Sequence, residues 1–351
     1  MNDQQSIYDA LKPLSILSQD SIWLTSTLSL SRNISNFKFL DLLDNQQKLS
    51  IIEIFTKAFQ QINNLKDFSI RKSSSISPIT REFISEKFFL NWPSENIQDQ
   101  AFLIDHSNSL FVGINFSDHL LLHLITPSQE IENSWKQLIT LDNCIHKQVN
   151  YAFSEDFGFL TVNPKSCGTA FTLSIYLHTP AIFWNKALYD LLEDDDIKFF
   201  GLGNQQGNFL GDILILRNAK TLGISEENTF SSLRIWCHKI IGLENKLKKL
   251  LFKQKDKKLL DAIIRSVGLL THSYELSLEE SLKAISLIKL GVDLNIVNKS
   301  NLNLNNMILD FHRSHLIFSS NNYDKNLSKE EILILRSKIT KSFATKLSLT
   351  T

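Results

Sequence analysis

Apolar residues recur along this chain with two different periods, and the periods divide it. Over 46–63, Leu49, Ile52, Phe55, Phe59 and Ile62 fall three or four apart, which predicts a helix with one apolar stripe. Residues 66–75 are polar and serine-rich and read as a loop. The stretch SPITREFISEKFFL predicts a second helix, with Pro78 at its start, where the missing N–H leaves no bond unmade. Short apolar runs at 101–106 and 109–116 flank His106-Ser107-Asn108 and predict a hairpin, and 118–125 reads as the next strand. An amphipathic helix is predicted over 129–149, and strands over 169–177 and 212–217.

Near residue 225 the pattern changes. Ser225-Glu226-Glu227 marks a helix start, and Phe230, Leu233, Cys237, Ile240, Leu247 and Leu250 then recur at helical spacing. A lysine-rich break at 252–258 is followed by helical patterning. Ser277 with Glu280, and Ser328 with Glu331, have capping-box spacing. The asparagine-rich stretch 295–306 reads as a loop. We therefore expect an α+β fold, with a mainly antiparallel sheet flanked by helices over 1–243 and a small all-α domain over 244–351. No internal repeat is visible.

Composition narrows the function classes. Lysine plus arginine number 37 and aspartate plus glutamate 37, so net charge gives no argument for a nucleic acid or an anionic membrane. The lysines from Lys246 to Lys258 read as a solvated helix face. Three cysteines without CxxC spacing argue against a disulfide framework and structural zinc, and fit a reducing, cytoplasmic setting. Met1–Gln5 shows no basic segment leading into an apolar run, and no apolar run approaches the ~18 residues of a membrane span.

Isolated motifs do not survive inspection. Asp156-Phe157-Gly158 spells a kinase magnesium-binding tripeptide, but the catalytic and glycine-rich loops that accompany it are missing. GLGNQQG at 201–207 has the wrong glycine spacing for a dinucleotide fingerprint. His312 and His315 lack carboxylate or cysteine companions and read as packing or surface residues, and so no metal site is assigned.

Several stretches together, in order, carry a resemblance. IWLTSTLSLSRNISNFKF (22–39), VGINFSDHLLLHLI (112–125), DFGFLTVNPKSCGTAFTLSIYLHTP (156–180) and GLGNQQGNFLGDILILRNAKTLGISEE (201–227) are similar to the boxes of the ATP:guanido phosphotransferase family. RSVGLLTHSYELSLEESLKAISLIKLGVDLNIV (265–297) resembles the C-terminal domain of its McsB-type protein-arginine kinase branch. The resemblance implies the guanido-kinase fold and transfer of a phosphoryl group from Mg-ATP to a guanidinium. Arginine forks would hold the phosphates, and carboxylates would align the acceptor and take its proton.

Position by position, the resemblance implies that those charges are missing here. Family arginines fall on Thr27, Ser29, Leu121, Thr172 and Phe200, and an adenine-region histidine on Phe88. The catalytic glutamates fall on Phe116, Ser117 and Gln205, a following one on Asn208, and the reactive cysteine on Asn163. Cys167 is displaced by four positions. No spare arginine stands within two residues of Thr27, Leu121 or Thr172; Lys165 and Lys220 are the available point charges. In the C-terminal domain the phosphoarginine motif of the branch reduces to Arg336-Ser337, with Ile332 and Leu333 at its Arg-Asp positions, and Arg336 equally reads as an exposed helix residue. The residues that persist include Arg32, Asn33, Asn115, Asp118, His119, Thr161, Thr169, Ser174, His178, Asn218, Thr221, Ser225, Glu226 and the glycines and prolines of the turns.

The expectation is a catalytically inactive adaptor or regulator in protein quality control, with no resident cofactor. The alternative is an active protein-arginine phosphotransferase using displaced residues and Mg-ATP. A third reading is a neutral small-molecule site lined by Phe116, Leu121, Asn163 and Thr172. By resemblance, an McsA-like activator and a Clp-type unfoldase are the expected partners, and self-association as a homodimer is compatible.

Overall fold

The computed structural model describes residues 17, 21–62, 70–92, 97–105, 107, 109–127, 130–188, 196–202, 207–300, 302–320 and 327–350. Gln205, His106, Asn108 and the first part of the 66–75 stretch lie outside the described residues. In chain order the strands are β1 (Trp23–Arg32), β2 (Arg71–Lys72), β3 (Ala101–Ile104), β4 (Leu110–Ile114), β5 (Leu120–Thr126), β6 (Phe153–Ser154), β7 (Gly158–Phe159), β8 (Phe171–His178), β9 (Ile197–Phe200), β10 (Ile213–Asn218), β11 (Val297–Asn298) and β12 (Ser348–Leu349). The helices are α1 (Asn45–Gln60), α2 (Pro78–Phe88), α3 (Ile131–His146), α4 (Pro180–Trp184), α5 (Glu226–Gln254), α6 (Lys257–His272), α7 (Leu278–Asp293), α8 (Asn306–Asp310), α9 (Arg313–Ser319) and α10 (Lys329–Ala344).

Eight strands form one sheet in the order β2-β3-β4-β5-β1-β8-β10-β9. The β2–β3, β3–β4, β4–β5 and β5–β1 pairs are antiparallel, as expected for an α+β sheet of hairpins. Chain contacts cluster into two units, one of 1–16, 25–175 and 217–233, the other of 17–24, 176–216 and 234–351.

In the first unit, α1 starts at Asp44, whose side chain forms a reciprocal capping box with Gln47. Its buried stripe is Ile51, Ile52, Phe55, Ala58 and Phe59; Leu49, expected on that stripe, is 40% exposed because the stripe is rotated by one position. Ser77 caps α2 with Pro78 in its first turn. On one side of the sheet, Trp135 of α3 packs on Phe171 with ring centroids 4.6 Å apart, and Phe230 of α5 packs on Phe171 at 5.4 Å.

In the second unit, Ser277 and Ser328 cap α7 and α10 with full capping boxes, as their spacing predicts. Helix α5 runs unbroken to Gln254, so the lysine-rich break is confined to the short step before α6. The 295–306 stretch is not all loop: Val297–Asn298 pairs with Ser348–Leu349, a partner some fifty residues away. Glu244 is fully buried, and its carboxylate accepts the Ala181 and Ile182 N–H groups at 3.0 and 2.9 Å, satisfying the first turn of α4. Burial raises its pKa, against the pull of Lys248 and those two bonds. His178, also buried, bonds Ser286 Oγ at 2.9 Å, and Ser286 in turn donates to Asp212. No helix among the described residues is long and apolar enough to cross a membrane.

Candidate functional site

Strand alternation decides which side chains share a face. In β1, Thr27 and Ser29 point one way. Ser29 lies opposite His123 of β5, Thr27 opposite Ile125, and Ser31 opposite Leu121. Thr172 and Ser174 of β8 share a face, and Arg217 of β10 donates from Nε to Ser174 Oγ at 2.8 Å. The Arg217 charge also acts on the His123 ring. Thr27, Ser29, Leu121, Thr172, Ser174 and Arg217 therefore line one face across four neighbouring strands, all within the first unit. Ser29, Leu121, Thr172 and Arg217 are half-buried and form its floor.

His123 is the pivot of this floor. Its Nδ1 lies 2.7 Å from Ser29 Oγ, and its Nε2 lies 2.8 Å from the Phe88 carbonyl. A carbonyl can only accept, so Nε2 carries the proton and Nδ1 accepts from the serine. Burial pushes the imidazole pKa down to about 4, the Phe88 bond opposes that, and Arg217 adds to it. The ring is neutral at pH 7.

Beyond Leu121 the face is closed by aromatic rings. Phe116 is 5% exposed and lies 5.0 Å from Trp92 and 5.4 Å from Phe111. A Cβ on Gly113 would come within 2.8 Å of the Phe116 ring, so the ring sits on the strand itself. Phe88 is fully buried against Phe111 at 5.8 Å. Ser117 and Asn163 are exposed, and Asn163 Oδ1 accepts the Lys165 N–H at 3.1 Å. Phe200 ends β9 in the second unit. Cys167 is buried under its turn, 3.5 Å from the Thr161 N–H.

The persisting residues of the boxes form a second group. Arg32 is 2% exposed and donates to Asp142 Oδ2 from Nη2 at 2.7 Å and Nε at 3.1 Å. Its guanidinium also covers the Phe159 ring at 3.7 Å and bonds the Thr169 carbonyl. Asn33 donates to Asp118 at 2.7 Å and accepts the His119 N–H at 3.0 Å. Asp118 accepts the Val162 N–H at 2.8 Å, and His119 bridges the Ile34 N–H and the Lys38 carbonyl at 3.0 Å each. Burial lowers the His119 pKa, against its backbone bond and Asp118. Asn115, at φ 59°, donates to the Lys48 and Asp99 carbonyls at 2.9 Å each. Gly168 has φ 103°, and a Cβ there would meet the Thr221 carbonyl oxygen at 2.2 Å. These residues clamp the turns together.

Arg336 requires a correction. It is 4% exposed, not an exposed helix residue, and donates to the Phe311 and Leu276 carbonyls at 2.9 Å each. It ties α10 to two chain turns that its sequence neighbourhood does not reveal. Sequence reasoning also missed Arg217, which lies far in the chain from Thr172 and beside it in the sheet.

A sheet of this order with its flanking helices is the guanido-kinase fold. Solved structures share it: lombricine kinase (16% identity, TM-score 0.59, covering 69% of this chain and 71% of that one) and the duplicated taurocyamine kinase from Schistosoma mansoni (17%, 0.58, 77% and 39%). The model of the ATP:guanido phosphotransferase C-terminal catalytic domain matches residues 50–247, and that of the protein-arginine kinase McsB C-terminal domain matches 256–349. Proteins named protein-arginine kinase from Chlamydia pneumoniae and Chlamydia muridarum are each 35% identical, over 94% and 92% of this chain and 93% and 92% of their own. One from Clostridium acetobutylicum is 29% identical over 91% of this chain and 95% of its own. The chain belongs to the ATP:guanido phosphotransferase family, in its McsB-like protein-arginine kinase branch.

Mg-ATP fits this floor poorly. Threonine, serine and leucine offer no fixed positive charge to a triphosphate, and Arg217 is the one cation placed on the face among the residues described above.

Proposed function

We propose that this chain is a protein-arginine-kinase-like protein that has lost phosphoryl transfer and acts by binding, as an adaptor or regulator in cytoplasmic protein quality control. The observation that supports this is the shared face of Thr27, Ser29, Leu121 and Thr172: four positions where the family resemblance puts arginine stand together and are all neutral. Loss of one preorganised charge stabiliser typically costs roughly 10²–10³ in rate, and a single arginine on a transferring phosphoryl roughly 10³–10⁵. These effects are not additive, but a floor lacking all four leaves no useful turnover by that route. An McsA-like activator and a Clp-type unfoldase are the proposed partners, by family resemblance.

The second reading, an active protein-arginine phosphotransferase using Mg-ATP, is favoured by the 35% identity to proteins of that name across nearly the whole chain. Calorimetry with Mg-ATP and a phosphoarginine assay on an unfolded basic protein separate the two. We expect neither micromolar nucleotide affinity nor product; turnover abolished by Arg217→Ser would establish the active enzyme instead.

A further inference from the structure

A chain whose charges balance, 37 basic against 37 acidic, concentrates positive charge at the end of α5 and the start of α6. Residues 245–258 hold seven lysines and a single acid, Asp256. Lys248 is neutralised within the second unit, 2.6 Å from Asp293 and 3.6 Å from Glu244. The Asp256 carboxylate accepts the Trp184 Nε1–H at 3.1 Å and the Lys258 N–H at 2.9 Å. The other six lysines are exposed, and among the described residues none of their side chains forms an ion pair. Helix α5 buries Leu233, Cys237, Ile240, Glu244 and Leu251 on one stripe. At about 3.6 residues per turn, Gly242, Lys246, Lys249 and Lys253 fall on the opposite side, spaced as i, i+4, i+7 and i+11. Leu250 lies beside them and is 42% exposed. Glycine weakens a helix interior relative to alanine, yet a Cβ at Gly242 would meet nothing within 4 Å, so no packing among the described residues requires a glycine there.

We propose that this outward face of α5 is a docking surface for an acidic, amphipathic helical segment of a partner protein. The surface lies in the second unit, and it stands whether or not the floor transfers phosphate. Carboxylates repeating every three or four residues on a facing helix match the spacing of Lys246, Lys249 and Lys253. Leu250 offers that helix an apolar contact among the lysines, and the bare Gly242 lets its backbone come close. Each exposed ion pair is weak and screened by salt, so affinity requires several pairs together with the apolar contact. Nucleic acid and membrane fit this face less well. Phosphates would use the lysines and leave Leu250 in water. An anionic bilayer takes up a helix through an apolar face sunk beneath its lysines. That face of α5 is already buried in the protein, and the exposed Leu250 and Phe252, two residues apart, lie on opposite flanks of the helix.

The test is fluorescence anisotropy of the full-length chain with a labelled, designed helical peptide at about 0.15 M salt. The peptide carries glutamates at i, i+4, i+7 and i+11 and leucines on the adjoining positions. We expect saturable binding to wild type at micromolar concentrations. The combined Lys246→Glu, Lys249→Glu and Lys253→Glu variant should bind at least about tenfold more weakly. Leu250→Ser should weaken binding severalfold. Gly242→Gln should do the same while raising thermal stability, because glutamine is the better helix former. Circular dichroism checks folding; should the charge-reversed variant not fold, glutamine at the same three lysines reads the same contacts. Equal peptide affinity in wild type and the lysine variants, or no binding to wild type, overturns the surface. Loss in the lysine variants with none in Leu250→Ser leaves a screen of charge alone and overturns the amphipathic partner. Tighter binding of a single-stranded DNA oligonucleotide of equal charge, or of vesicles containing phosphatidylserine, assigns the lysines to that class and overturns a protein partner.

Discussion

Arg32 ends the strand that carries Thr27 and Ser29, with Asn33 next after it, and Asp118 and His119 share a turn with Phe116 and Ser117, just before Leu121 of β5. Yet Asn33, Asp118 and His119 share one hydrogen-bonded network and Arg32 is paired with Asp142, while Thr27, Ser29, Phe116, Ser117 and Leu121 present hydroxyls, methyls and rings. The difference lies in what each charge faces. Arg32 and Asp142 face one another in the interior, so dropping either leaves the other buried and uncompensated. A charge on the floor faces a ligand. Under the function proposed above, a neutral residue there leaves no buried partner uncompensated, and it relieves repulsion among cations crowded on one face. The frame is kept by its own internal partners, whereas under the function proposed above the floor would owe any charge to a ligand outside the chain.

The sharpest way to break this comparison is to attack the frame. Asp142→Ala strips the partner from a guanidinium that is 2% exposed. We expect a loss of about 3–5 kcal/mol in chemical denaturation. Arg32→Met, which removes charge and keeps volume, leaves the Asp142 carboxylate buried and is expected to cost a similar amount, whereas the double variant recovers much of the loss. If the single variants lose less than about 1 kcal/mol, the Arg32–Asp142 pair is not what holds this part of the frame in place.

A somewhat smaller effect is expected from pH, and it reports on the floor's pivot. Above pH 6.5, His123 is neutral in folded and unfolded chains and contributes no pH dependence. Between pH 6.5 and about 4 the unfolded chain takes up a proton that the native ring refuses, so stability falls as pH falls. Over that window the loss from this group is about 3 kcal/mol, and it levels off below about pH 4. His178, whose pKa burial pushes well down, adds to the same trend. His123→Gln can keep both the Ser29 and Phe88 bonds, and it should flatten the stability profile measured by urea denaturation at successive pH values. A profile unchanged by that substitution would remove His123 as the pivot.

Parts of this comparison were legible in the sequence and parts were not, for physical reasons. Local signals succeeded where local bonds decide the outcome: Pro78 opens α2, and Ser277 and Ser328 cap the helices they precede. The central strand β1 was reached only through its family resemblance, although Leu24, Leu28 and Leu30 alternate with hydroxyl residues, because nearly all its side chains are buried and no face reads as solvent. Short β11 escaped notice because its partner is β12. Arg217 does not stand out in the sequence because it lies far along the chain from Ser174, and its contact with Ser174 crosses from one strand to another. The same separation hid the carbonyls of Leu276 and Phe311 that bury Arg336. The neutral floor itself was expected from matched positions; that four of them meet on one face required the strand pairing.

The smallest expected effects sharpen the comparison from the other side. Asp118 Oδ1 accepts both Asn33 Nδ2 and the Val162 N–H, so Asp118→Ala takes the acceptor from a buried and a part-buried donor and should cost about 1–3 kcal/mol. Thr172→Ala should change stability by no more than about 0.5 kcal/mol, since the side chain is half-buried and faces the open floor. Both are measured by the same denaturant titration. A floor substitution as costly as the Asp118 variant would mean that neutral side chains at these positions pack the sheet. The neutrality would then be a requirement of folding, and the absence of the arginines could no longer be read as release from a phosphate ligand.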